Sequence, residues 1–388
     1  MHFTALSDPR YLRRSATRAI LALILITTSM GVALGSAPVQ AQDMPPDASP
    51  TPETPTPTPE PFTPTPPPMA AQLGAMTHTY QTWNNCSGAN LTMALSYFGW
   101  NYDQDVARAW LKPNVEDKNV SPKEMVDFVN YVQTDLPHVR ALWRYGGDLD
   151  LIKRLVAAGF PVIAEAGFDV DDLDWMGHYE TVSAYDDTTQ TIWVADSYKG
   201  PNQSHTYEDF DYWWRHFNRA FVVLFDLDRV NELAALLGDY YTPEGATQIA
   251  LAQARAEAQA NPNDAWAWFN MGTSYVRLGN YADAATAFDE AFRLQQLPYR
   301  LLWYMFGPYE AYYNMGRYDD VVQLAANTES TTTYVEEIMF WRGMVYAARG
   351  QNDLAINEFN KVLAFNPNAQ IAQEMKTQVE TGTFTPPV

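Results

Sequence analysis

The 388-residue chain predicts an α+β domain followed by an all-α domain of repeated helix pairs. Two observations carry this reading. Residues 72–228 mix helical periodicity, as in "LDLIKRLVAAG", with β-rich runs such as "FPVIAEAGF", "HYETVSAY", "TIWVAD" and "AFVVLFDL". Residues 243–380 are helical throughout, and glycines 279, 316 and 350 recur at intervals of 37 and 34 residues.

The N-terminus reads as an export signal. Arg10, Arg13, Arg14 and Arg18 precede an apolar run from Ala19 to about Leu34, and "VQAQ" supplies small residues for cleavage after Ala41. Residues 1–41 are therefore taken as a signal peptide, which places the mature chain outside the cytoplasm, secreted or at the cell surface. Left uncleaved, the segment is instead a membrane anchor. Residues 42–71 contain "MPPDASPTPETPTPTPEPFTPTPPPM", a Pro/Thr-rich spacer favouring extended conformers over a packed core. The whole chain carries 25 basic and 46 acidic side chains, net −21. Removing residues 1–41 takes four Arg and one Asp, leaving 21 basic against 45 acidic, net −24. Such a surface repels phosphate backbones and argues against nucleic acid as a partner.

Within residues 72–228, "SGANLTMALSYFGW" has apolar positions at helical spacing. "SPKEMVDFVNYV" opens with a Ser121 cap, Pro122 and the capping-box acid Glu124. Gly159 stops the third helix. Residues 229–242 form a connector. In 243–380, "WAWFNMGTSYVRLGNYADAATAFDEAF" and "FWRGMVYAARGQNDLAINEFNKVLAFNP" share small and aromatic residues at matching places, and "YEAYYNMGRYDDVVQLA" is a weaker copy. Small residues let paired helices approach while Tyr, Phe and Trp fill the space between. The pattern resembles the tetratricopeptide repeat. Three copies are a minimum for stability, so the array is expected to pack on the preceding domain or on an end-capping helix. Residues 381–388 are a disordered tail.

Cys86 is the only cysteine, so no internal disulfide forms. It stands just before a helix, where free N–H groups and the dipole favour a thiolate. Ser87, Gly88 and Ala89 keep its approach open. Gln81, five residues earlier, can offer its amide beside the Cys86 N–H to an oxyanion. Of the six histidines, His178 lies at the head of "HYETVSAY", and the following strand ends in Asp196. A hairpin pairing Tyr185 with Thr189 puts His178 directly opposite Asp196, where the carboxylate would orient and charge the imidazole. The acids of "FDVDDLDWMGH" read as a solvated loop rather than a calcium site, because Leu173 falls at a ligand position. "FDYWWRHF" reads as core and lid packing. No cofactor or metal is expected.

"QTWNNCSGANLTMALSYFGW", "NVSPKEMVDFVN", "GFPVIAEAGF", "GHYETVSAYDD", "VADS" and "FVVLF" resemble the secreted relatives of the double-glycine-leader peptidases of the papain clan. The resemblance covers about residues 76–226 and implies a papain-like cysteine peptidase fold. It implies Cys86 as nucleophile, His178 as base, Asp196 as orienting acid and Gln81 at the oxyanion. The chain departs from the family at Ser87-Gly88 after the cysteine, at Ser197 after the aspartate, and at Glu180. The expected function is an exported thiol hydrolase acting on a peptide or protein, with a protein partner held in the repeat groove. The alternatives are an inactive papain-like binding module in a cell-surface adaptor, and a cysteine-dependent amidase or acyltransferase.

Overall fold

The computed structural model describes residues 66–170 and 174–387. The export signal and nearly all of the Pro/Thr spacer lie outside the described residues. Among those described, no helix is long and apolar enough to cross a membrane.

The first domain is an antiparallel sheet with helices on both faces. Its strands are β1 (Ala70–Gln72), β2 (Val139–Arg144), β3 (Val162–Val170), β4 (Asp174–Asp186), β5 (Thr191–Asp196), β6 (Gly200–Thr206) and β7 (Phe221–Asp226). They run in the order β2-β7-β3-β4-β5-β6, with β1 paired to the far end of β4. One face carries α1 (Cys86–Ser96), α2 (Gln104–Leu111) and α3 (Pro122–Asp127), packed through Leu91, Leu95, Phe128, Ile163 and Val222. The other carries α4 (Leu149–Ala157), α5 (Tyr207–Trp214) and α6 (Val230–Leu237), packed through Leu155, Val162, Val182, Trp214 and Val223. Alternation along β3 and β7 thus feeds two cores.

The predicted capping box is present, with Ser121 accepting from the Glu124 N–H and Glu124 accepting in return. The helix then runs into a π-turn at Phe128–Val132. Five expectations are corrected. The tail assigned to 381–388 is ordered at its start: Thr381 ends a helix, the Thr383 and Phe384 N–H groups donate to the Gln378 carbonyl, and Phe384 packs on the core of the last helices. Ala70 and Ala71, assigned to the spacer, pair with Asp186 and Tyr185. The connector 229–242 folds as α6 and a 3₁₀ turn over Gly238–Tyr241. Asp169 and Asp174 belong to strand ends of the β3–β4 hairpin rather than to a loop; the acids between them lie outside the described residues. The register of β4 with β5 also differs. Tyr185 faces Ile192, and Asp196 faces Glu180. A turn at 187–190 and a bulge at Ser183 consume the residues that a tighter hairpin would have paired.

The second domain comprises α7 (Pro243–Ala260), the pairs α8/α9 (Ala265–Arg277, Tyr281–Arg293), α10/α11 (Gly307–Asn314, Tyr318–Glu329) and α12/α13 (Glu336–Ala348, Asn352–Phe365), and a final α14 (Gln370–Thr381). Gly279, Gly316 and Gly350 turn between paired helices at φ of +74°, +67° and +70°. Gly272 and Gly343 instead make room for rings. A Cβ would sit 2.7 Å from Phe288 at the first and 2.8 Å from Phe359 at the second.

The short array does not stand alone. Trp175, Phe217 and Ala220 of the sheet domain share one buried cluster with Phe269, Phe288, Tyr309 and Val321 of the helices. His216 stacks on Trp266 at 3.9 Å, and the Trp175 indole N–H donates to its Nδ1 at 3.1 Å. Burial, with Arg215 adjacent, pushes His216 down to about 3, so it packs as a neutral ring. Arg215 bridges Glu257 and Asp264, and Arg219 joins Asp211 to Glu257. A common core predicts common melting. Phe217→Ala should cost about 3–5 kcal/mol and lower a single calorimetric transition for the whole chain. Independent melting of the helices at an unchanged temperature would contradict the shared core.

Candidate active site

Cys86 is the first residue of α1 and is half-buried. Its cap residue, Asn85, makes no side-chain bond to the first turn, and that turn holds no acid. The Asn85 amide donates to Gln104 Oε1 at 2.7 Å instead. The first-turn N–H groups of α1 therefore stay available to an anion at Cys86. Gly88 permits this arrangement: a Cβ there would lie 2.7 Å from Asn85 Oδ1.

His178 sits within β4 rather than at its start. Its Nε2 meets Asp196 Oδ1 at 2.9 Å, with only 3% of His178 and none of Asp196 exposed. The two residues are diagonal across the ladder, not opposed. A shift of two residues preserves the face a side chain takes, so the pairing survives the changed register. Asp196 is further fixed by the N–H groups of Tyr198 at 2.6 Å and Lys199 at 3.1 Å. Phe168 covers the imidazole at 4.4 Å between centroids.

These contacts set the charges. Burial opposes charge on His178, but Asp196 and Cys86 raise it to about 10. Burial likewise opposes ionisation of Asp196, yet His178 and the two backbone donors hold it down to about 2. Burial pushes the Cys86 thiol up. The hydrogen bond and charge of His178, then Lys112 and the Tyr179 N–H, bring it below its ordinary value. Each charge thus favours the other: the imidazolium stabilises the thiolate form of Cys86, and the thiolate stabilises the imidazolium.

Gln81 is placed by Ser197. The Gln81 N–H donates to the Ser197 carbonyl at 2.8 Å, and the Ser197 hydroxyl donates to Gln81 Oε1 at 2.8 Å. This leaves Gln81 Nε2 as the free end of the amide. Gln81 is not among the residues that line the small cleft at Cys86.

Several contributors carried no clear sequence signal. Asn90, one helical turn after Cys86, donates to the Cys86 carbonyl at 3.0 Å, the Tyr179 carbonyl at 2.6 Å and Ser197 Oγ at 3.1 Å. Its i+4 spacing was the available clue. Lys112 is buried, and its ammonium donates to the Asn84 carbonyl. Glu165 lines the same cleft; burial pushes it up to about 8, so it is neutral at pH 7 and leaves the imidazolium uncancelled. Tyr304, between the first two helix pairs, reaches the cleft and packs against Gly177. With Tyr304 in place the cavity at Cys86 is about 20 Å³, room for roughly one water.

Glu180 is buried directly opposite Asp196, with His205 Nε2 at 3.6 Å. Burial raises its pKa, with the Asp196 charge adding to this and His205 and His178 opposing it. His178, Glu180 and Asp196 carry ligand atoms within 4.8 Å of one another. Two of those atoms are already engaged in the His178–Asp196 hydrogen bond, so the arrangement works as an imidazole–carboxylate pair. His78 Nε2–H donates to the Asp196 carbonyl at 3.0 Å and serves as a brace for the strand end.

With this geometry in view, residues 68–222 match the model of the Peptidase_C39 like family. Residues 265–296 and 336–369 match tetratricopeptide repeat models. No curated protein matches the chain significantly. The middle helix pair, α10/α11, lies between the two matched repeats and completes the array. The chain is therefore a Peptidase_C39-like domain followed by tetratricopeptide repeats.

The charge pattern predicts the reactivity of Cys86. A lowered thiol pKa means that thiolate is already present below the usual midpoint of about 8.5, so alkylation by iodoacetamide should rise with pH through a midpoint under that value. His178→Ala leaves burial as the main influence and should move the midpoint above it. Equal midpoints in the two proteins would show that the imidazole does not act on the sulfur.

Proposed function

We propose that this protein is an exported thiol hydrolase of peptide bonds, with Cys86, His178 and Asp196 as its triad. The observation that carries this reading is the buried 2.9 Å His178–Asp196 contact beside a sole cysteine at the start of α1. The Cys86 thiolate attacks the substrate carbonyl carbon, and the electron pair moves to oxygen. The Cys86 N–H and the free Gln81 Nε2 receive that oxyanion. His178 gives its proton to the departing amine as the C–N bond breaks, leaving a thioester. Water, losing a proton to His178, then attacks the thioester; the C–S bond breaks, the acid leaves, and the thiolate beside the imidazolium is restored. Asp196 keeps the imidazole oriented throughout and stabilises its charged form before acylation and during deacylation. Export rests on the basic and apolar N-terminal segment. The repeats supply a surface for a protein partner.

The narrow cleft favours a closed resting state in which Tyr304 must move before a polypeptide reaches the sulfur. It also fits a second reading, a binding module without turnover. Incubation of the mature chain with a diverse peptide library, followed by mass spectrometry, separates them. Cleavage should be absent in Cys86→Ala and about 10²–10⁴-fold slower in His178→Ala. Products shared equally by wild type and Cys86→Ala, or none from either, would favour the binding module. Acyl transfer to an added amine would identify the transferase variant of the same chemistry.

Tyr304→Ala provides a separate check on access. It should speed labelling of Cys86 by a bulky peptidyl electrophile while changing iodoacetamide labelling little. No gain with the bulky reagent would show that Tyr304 is not the barrier.

A further inference from the structure

A second concavity, much larger than the cleft at Cys86, runs between the sheet domain and the last repeat. It is a groove of about 860 Å³ bounded by α3 and its π-turn on one side and by α12, the end of α13 and the start of α14 on the other. Its charge is strongly one-sided. Glu124, Asp127, Glu336, Glu337 and Glu374 line it, against Lys123 alone, which is paired with Asp127 at 2.5 Å.

The deeper carboxylates have neutral partners. Glu124 is held by the Ser121 N–H and hydroxyl at 2.8 Å, and Glu337 by the Asn119 amide at 3.2 Å. Glu336 is only 6% exposed; its Oε1 accepts from Asn366 at 2.9 Å, while its Oε2 has no hydrogen-bond partner. Asp117 lies close enough for its charge to act on Glu336 and Glu337. Burial raises all four acids, Glu124 to about 7, and neighbouring carboxylates add to this at Asp117, Glu124 and Glu337. The Lys112 charge reaches Asp117 and Glu336, but with Lys123 taken by Asp127 the acids still outnumber the cations around the groove. Between the acids stand Trp110, Phe340 and Trp341, and Tyr131 on the rim is 81% exposed. Rings beside carboxylates suit the stem and head of a lysine or arginine side chain.

We propose that this groove docks an extended peptide segment bearing lysine or arginine, one cationic head settling at Glu336 and Glu337 and its apolar neighbours lying on Phe340 and Trp341. A spread of acids interleaved with rings fits a side-chain-bearing strand better than a bare metal ion, which gathers its oxygens at one point. The groove also adjoins the reacting site. Asn119 lines the cleft at Cys86 and donates to Glu337, so one loop forms a wall of both. As an assignment of substrate class, the proposal rests on the hydrolase reading; as a binding site it can be tested without turnover.

The test uses the mature chain carrying Cys86→Ala and three labelled peptides of equal length, one with Lys and Arg among apolar residues, one with Gln in their place, and one with Glu. Fluorescence anisotropy should show the basic peptide binding, weakening as salt screens the acids. Loss of about tenfold in affinity is expected in Glu336→Gln/Glu337→Gln. Glu374→Lys, on an exposed helix face, should weaken binding without disturbing the fold and keeps the test open if the buried pair is not tolerated. Equal binding of all three peptides, undiminished binding in both variants, or displacement of the basic peptide by stoichiometric Ca²⁺ would overturn the proposal. Wild type that binds the basic peptide without cleaving it would instead sink the hydrolase reading and leave the groove standing.

Discussion

The buried bond between the His178 imidazole and the Asp196 carboxylate is the constraint on which the rest of the site depends. Neither group can be charged alone at that depth without large cost, and each makes the other's charge tolerable. Asp196 is also gripped by two backbone N–H groups, so its negative charge is held in the turn after β5 as well as by the ring. The charged imidazole then faces a sulfur whose own helix supplies N–H groups left free by its cap residue. Glu165 completes the balance by staying largely protonated, since an ionised acid there would compete for the same positive charge, and burial disfavours the charged form of Glu180 as well.

Polar packing around this pair is continuous rather than local. Asn90 ties α1 to β4 and to Ser197, and Ser197 ties that network to Gln81. A residue without a hydroxyl at 197 would lose the last link. The departure from the family at this position is therefore accompanied by a specific contact that orients the Gln81 amide. On the other side, Tyr304 brings the helical domain to the cleft, and the core shared through Trp175 and Phe217 makes the two domains one folding unit. An array this short gains from the sheet domain the burial that additional repeats would otherwise supply.

Much of this was legible from local chemistry. The α3 capping box, the Gly159 stop and the Gly-to-ring spacing of the outer repeats are short-range signals that a sequence states directly. Cys86 before a helix and His178 in a strand were legible for the same reason. The register of β4 on β5 was not: a turn at 187–190 and the Ser183 bulge cost no visible pattern, although the two-residue shift left the predicted face of Asp196 intact. The polar edge strand β6, "GPNQSHT", lacks any apolar alternation. Lys112 and Tyr304 reach the cleft only through long-range folding, and the acids of the groove come from segments some two hundred residues apart.

The state of the His178 ring tests the central claim most directly. Nitrogen-15 NMR of the mature chain, labelled at histidine, reports whether one or both ring nitrogens carry a proton. The account predicts that both do at pH 8, well above the usual histidine midpoint of about 6.5, with the proton shared toward Asp196. A ring that is neutral at pH 8 and titrates near that ordinary midpoint would contradict it.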